Sequence, residues 1–201
     1  MPAVTPATAA DLAFLAPGLV HQLGNLFFGL QAHALHADPQ AAGPALQAIA
    51  SVADRGGACV RLLRHALGDG GPEPGEARRA VADLGEMLRV SMREAGHRLE
   101  TEAGDDGRRS VDLAHFVPGA LAALRGVCAA LPTGMEATVR LCWRDAVGEL
   151  EVAVAPAAGS LPFPVAFAAL AQAWTARAET AGWGLRAAAT PTGLLLRVAQ
   201  P

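Results

Sequence analysis

The sequence predicts an α+β chain, a helical hairpin followed by a small α/β unit. Two long segments, 9–37 and 45–67, carry apolar residues at spacings of three and four, the helical period. Beyond residue 76, helical patterns are interleaved with short runs that read as strands. The 201 residues are 52% hydrophobic but only 4% aromatic and rich in Ala and Leu, which favours helices over an all-β sandwich.

The first helix, 9–37, opens at Thr8 or Asp11, and Pro17 either kinks it or marks a later start. The segment "ADPQAAGP" (37–44) breaks it, with Pro39 as stop and Pro44 as restart. The second helix, 45–67, places Leu46, Ile49, Ala53, Val60, Leu63 and Leu67 on one stripe, with Gly56 in the gap. Gly56 and Gly57 weaken its middle. "GDGGPEPGE" (68–76) reads as a linker, so the expected units are 9–68 and 77–201. In the second unit, 77–96 is an amphipathic helix, 97–103 a strand and "DDGRRS" (105–110) a charged turn. Residues 111–131 form a helix despite Pro118, with Ser110 as its N-cap. Strands 136–143 and 149–155 follow, joined by an Asp-Ala-Val-Gly turn, then a helix over 164–182. A hairpin of 183–190 and 193–199 ends the chain.

Net charge is −3, so there is no basic footprint for nucleic acid. All 16 basic residues are Arg, which removes the lysine of a phosphate-binding Walker loop and any Schiff-base lysine. Cys59, Cys128 and Cys142 are far apart and form no CxxC pair, as expected of reduced thiols in the cytoplasm. The N-terminus lacks the basic region of a signal peptide. No apolar run of about 18 residues is free of charge, Pro and Gly, so no membrane span is expected.

The stretch "LVHQLGNLFFGL" (19–30) places a histidine in an apolar helix. Leu12, Leu15, Leu19, Leu23, Leu26 and Leu30 share one stripe. At about 100° per residue, His21 lies roughly 200° from Leu19 and as far from Leu23. A packed core histidine would sit on the stripe, whereas His21 faces away from it. Gly24, Asn25 and Phe28 share its face. Gly24 allows close approach of a partner, and Phe28 either contacts that partner or packs on a neighbouring helix. Two antiparallel helices bury two apolar stripes poorly, whereas two hairpins paired in a four-helix bundle bury them well, so a homodimer is expected.

"HQLGNLFFGL" resembles the phosphoacceptor box of two-component histidine kinases, in which His is followed by an acidic or amide residue and, four residues on, by Asn or Thr. His21, Gln22 and Asn25 occupy those positions. Leu26 stands where the family often has Pro. The second unit is similar in element order to the histidine-kinase ATPase domain, but it departs from that domain where nucleotide would bind. Val127 aligns with the Mg²⁺-binding Asn, and no Asn occurs in 111–131. Ala155 or Pro156 replaces the adenine-binding Asp, and "PAAGSLPF" (156–163) is too short for the Gly-rich lid. Loss of the Asn would leave Mg²⁺ without its protein ligand, and loss of the Asp would leave adenine without its acceptor. What remains resembles the histidine phosphotransferases of the ChpT and sporulation-phosphorelay types, which are dimers with a degenerate ATPase-like domain.

The resemblance implies a phosphorelay. His21 would take a phosphoryl group from a receiver aspartate of a response regulator and pass it to a second receiver. The upstream donor could be a hybrid histidine kinase. Mg²⁺ is expected in the receiver, with no cofactor, nucleotide or metal in this chain. Gln22 cannot act as a base but can orient the ring, and Asn25 can orient the imidazole or a water. Gly24 and Phe28 are the expected receiver contacts. A second reading is a non-catalytic pseudokinase adaptor that binds a receiver or kinase; a third is an ATP-dependent histidine kinase with unusual boxes. His33 and His36 form an i, i+3 pair without an evident third metal ligand, so surface or dimer-core packing is the simpler reading. His65, beside Arg64, reads as solvated.

Overall fold

A computed structural model describes residues 7–35, 42–103, 109–144, 146–156, 164–183 and 185–198. The α+β expectation holds: among the described residues, five helices accompany a five-stranded and a two-stranded sheet.

Helix α1 spans Ala9–Leu35 and opens with a reciprocal capping box. The Asp11 N–H donates to Thr8 Oγ1 (3.3 Å), and the Thr8 N–H donates to Asp11 Oδ2 (2.9 Å). The helix runs through Pro17. Gly18 then lets α1 lie against α3 (Ala77–Glu94): its N–H donates to Ser91 Oγ (3.2 Å), and a Cβ there would fall 1.6 Å from the Met87 carbonyl oxygen. The leucine stripe turns inward, with Leu15 fully buried and Leu12, Leu19 and Leu26 packed against the core.

Helix α2, Ala42–Ala66, corrects one expectation. The residues it buries within the chain are Val52, Ala58, Cys59, Leu62, His65 and Ala66. The predicted stripe lies beside them, and its members Leu46, Ala53, Val60 and Leu67 are exposed. The helix carries two adjacent apolar strips. α3 and α4 (Leu113–Ala130) cover one of them and so perform part of the burial expected of a second hairpin.

The supposed linker 68–76 is also structured. Its end, β1 (Pro74–Glu76), pairs antiparallel with β3 (Ser110–Asp112). Ser110 is therefore a strand residue, and the N-cap of α4 is Asp112, whose side chain accepts from the Ala114 N–H (3.1 Å). His65 is not solvated. The returning segment folds over it, burying the ring with Nε2 3.0 Å from Glu73 Oε2. Residues 105–108 of the expected turn lie outside the described residues.

The main sheet comprises β2 (His97–Ala103), β4 (Ala137–Arg144), β5 (Glu149–Pro156), β6 (Leu185–Thr190) and β7 (Gly193–Val198), in the order β2-β4-β5-β7-β6. β2 and β4 run parallel through the α4 crossover, and the other neighbours are antiparallel. Strict alternation in β4 buries Ala137, Val139, Leu141 and Trp143 under the helices and leaves Thr138, Arg140, Cys142 and Arg144 on the opposite face. Trp143 meets Phe116 of α4 edge-to-face at 5.6 Å. α5 (Pro164–Ala181) packs on β6. A single cluster of buried side chains runs from Leu15 and Leu62 through Leu88 and Leu124 to Leu196. Each such fully buried leucine contributes roughly 1.5–3 kcal/mol.

By length and composition alone, α1 and α4 are apolar enough to cross a membrane, although neither contains the uninterrupted run sought in the sequence. The α4 stretch is mostly buried in the core; the α1 stretch is mostly not.

Candidate functional site

The exposed arc of α1 is set by where its buried arc points. Asp11, Leu15 and Gly18 anchor the N-terminal half against the rest of the chain. Further along, a Cβ on Gly29 would lie 3.6 Å from Val52, and one on Gly56 would lie 3.6 Å from Leu26, so α2 covers the inner side there. The helical period then leaves His21, Asn25 and Phe28 in solvent, as the leucine stripe implies.

Asn25 Nδ2 lies 3.1 Å from His21 Nε2, one turn along the helix. An amide nitrogen can only donate, so the tautomer that makes this contact accepts at Nε2 and carries its proton on Nδ1. The contact holds the exposed ring through Nε2, whose lone pair is directed at Asn25.

Gln22 is placed differently. It is half-buried, and its Nε2 donates to the Glu86 backbone carbonyl of α3 (3.4 Å). It ties the His21 segment to the second unit instead of flanking the imidazole in solvent. Gly24 is open, and a Cβ there would meet nothing within 4 Å. Phe28 is 72% exposed, so of its two readings the described residues offer no packing partner that covers it.

A second exposed apolar surface lies around the helix from the first. Phe27, 69% exposed, points about 100° away from Phe28 and shares its side with Val20. Leu23 and Leu30 adjoin them, and on α2 Leu46, Ala53 and Val60 are likewise exposed. The two adjacent phenylalanines thus belong to different faces, a distinction that the arc around His21 alone did not reveal.

Beneath Asn25, a cleft of about 310 Å³ opens between α1, α2 and α3, lined by Gln22, Asn25, Leu26, Cys59, Asp83 and Glu86 among others. Burial pushes the Asp83 carboxyl up, against the opposing pull of Arg79 and Arg61. Burial and the nearby Asp83 push the Cys59 thiol up as well, so it is no ready nucleophile.

Asp11 is the feature that the sequence reading missed. It was expected only as a helix opener, yet its side chain is fully buried and clamped by two arginines. Arg125 of α4 donates from Nε at 2.5 Å, and Arg177 of α5 pairs with the other carboxylate oxygen. Arg177 also stacks over Trp183, 4.9 Å from the ring centroid. Burial alone would raise the Asp11 pKa, but the hydrogen bonds from Arg177, Arg125 and Thr8 outweigh it and bring the value to about 2. The only sequence signal was an acidic residue in an otherwise apolar first turn.

The positions aligned with the nucleotide boxes are apolar in structure too. Val127 is fully buried in the core, and Ala155 lies exposed near the end of β5. Residues 157–163, where the lid would be, lie outside the described residues. His33 is half-buried on α1, and His36 lies outside the described residues.

No family model and no curated protein matches the chain. Among solved structures, a 1.7 Å structure of a bacterial phosphotransferase is similar over 96% of this chain and 98% of that one, with 18% identity and a TM-score of 0.41.

Proposed function

We propose that the protein is a histidine phosphotransferase of a phosphorelay. The observation that carries this reading is an exposed imidazole positioned by the Asn25 contact to its Nε2, on the solvent side of a helix whose other side packs against α2 and α3. In the proposed reaction Nε2 of His21 attacks the phosphorus of a receiver's aspartyl phosphate in line. The P–N bond forms as the P–O bond breaks, the carboxylate leaves with the bonding pair, and the proton stays on Nδ1. A second receiver's aspartate reverses the sequence. Mg²⁺ bound by the receiver offsets the charge in the transition state. Breaking the Asn25 contact at attack costs about 1 kcal/mol net, small against the gain from holding the ring in place.

Gly24 and Phe28 form the receiver contact in this reading. The face made by Val20, Phe27, Leu46 and Val60 takes a second copy of the chain, completing a four-helix bundle. The apolar character of Val127 and Ala155 supports a transfer domain that does not use ATP. Free Cys59, Cys128 and Cys142 are consistent with a cytoplasmic setting.

The test is incubation with receiver domains phosphorylated on aspartate by acetyl phosphate. The wild type should acquire an acid-labile, base-stable phosphoryl group and deliver it to an unphosphorylated receiver, whereas His21→Ala should do neither. Tight receiver binding without any transfer would favour the adaptor reading. Transfer by His21→Ala would place the acceptor elsewhere, with His33, His36 and His65 the next candidates.

A further inference from the structure

The five-stranded sheet ends on β2, which pairs only with β4 among the described residues. A groove of about 930 Å³ runs along it, bounded by Arg89 and Arg93 of α3 on one side and Arg140 of β4 on the other. Six consecutive residues of β2, His97 to Glu102, line that groove. Successive strand side chains point to opposite faces, so an unbroken run of lining residues means that the backbone edge itself faces the groove. Its outward N–H and C=O groups are available to an added strand.

The lining is mixed in charge with a positive excess. Arg89, Arg93, Arg98 and Arg140 outnumber Glu100 and Glu102. Burial lowers the His97 pKa, so at neutral pH the excess rests on the arginines. Arg98 and Arg140 engage the two glutamates, and Arg89 engages Glu86. Arg93 has no ion-pair partner among the described residues. We propose that this groove binds an extended acidic peptide segment of a partner protein, which adds a strand to β2 and places its carboxylates against the α3 arginines. Main-chain bonds along β2 supply affinity, and Arg89 and Arg93 select for acidic side chains. This surface meets the His21 side through the Arg89–Glu86 pair, but the proposal does not depend on the phosphotransfer reading.

The probe is a fluorescein-labelled octapeptide of alternating Val and Asp, followed by anisotropy with the full chain. Saturable binding is expected, weakening as salt rises. It should fall at least about tenfold in Arg89→Glu/Arg93→Glu and in Arg93→Gln, each checked for native circular dichroism. The same peptide N-methylated at alternate residues should lose binding, because its hydrogen-bonding edge is gone. Equal binding of the methylated peptide would leave charge alone and overturn strand addition. Full displacement by single-stranded oligo-dT would make the groove a nucleic-acid site and overturn the peptide assignment. Absence of saturation up to about 1 mM peptide would overturn the site itself.

Discussion

Replacing Asp11 by Asn removes the charge at the junction of α1, α4 and α5 while keeping the side-chain volume. The carboxyl titrates near 2 in the folded protein against an ordinary 3.8. At about 1.36 kcal/mol per unit of pKa, that difference corresponds to about 2 kcal/mol of stability. Asp11 is fully buried, so solvent screening takes little of this away. Arg125 and Arg177 each keep about a third of their side-chain surface in water and can resolvate once Asp11 is neutral. The cost therefore falls short of the roughly 3–5 kcal/mol seen when a fully buried pair is broken. For a chain of this size the melting temperature should drop by roughly 4–8 °C at pH 7. The sign of the pH dependence follows from the depressed folded value. The contribution is complete above the unfolded pKa and is lost as pH falls through 3.8 towards 2. Urea unfolding of wild type and Asp11→Asn at pH 7 and at decreasing pH should show the gap closing over that window. Equal stability at pH 7, or a gap that persists near pH 2, would refute the assignment of the Asp11 carboxylate as the electrostatic link between hairpin and sheet unit.

Gly18→Ala should destabilise the protein by about 3 kcal/mol, because its methyl would collide with the Met87 backbone and neither helix can yield locally; urea unfolding measures it. Gly24→Ala, six residues further on, should instead stabilise by up to about 1 kcal/mol, since its Cβ meets open space; a lowered melting temperature would show that the site is covered. Phe27→Asp should convert a two-chain mass in light scattering to one chain with phosphotransfer from a receiver weakened, whereas Phe28→Ala should leave the mass unchanged and raise the receiver concentration needed for half-maximal transfer. Calorimetry with Mg²⁺ and ATP should show no binding at millimolar nucleotide, and saturable micromolar binding would mean that the regions around Val127 and Ala155 had been misread.

Periodicity in the sequence was enough to place the helices and the strands of the five-stranded sheet to within a few residues and to turn His21 outward, whereas the short β1–β3 pair went unread. Both follow from local geometry: 3.6 residues per turn, two per pleat, and apolar side chains that must leave water. The strand from His97 to Ala103 is read correctly for that reason, and so is the arc holding His21, Asn25 and Phe28. What only the tertiary structure decided involves partners distant in the chain. α2 carries two apolar strips, and their order of burial depends on where α3 and α4 land, which no spacing within α2 encodes. Gln22 is adjacent to the histidine in sequence, yet its partner is a carbonyl 64 residues away. Asp11 reads as a helix opener because its first contact, Thr8, is three residues distant. Its role as a buried anchor is set by Arg125 and Arg177, 114 and 166 residues further along, and long-range pairing of that kind leaves no local pattern.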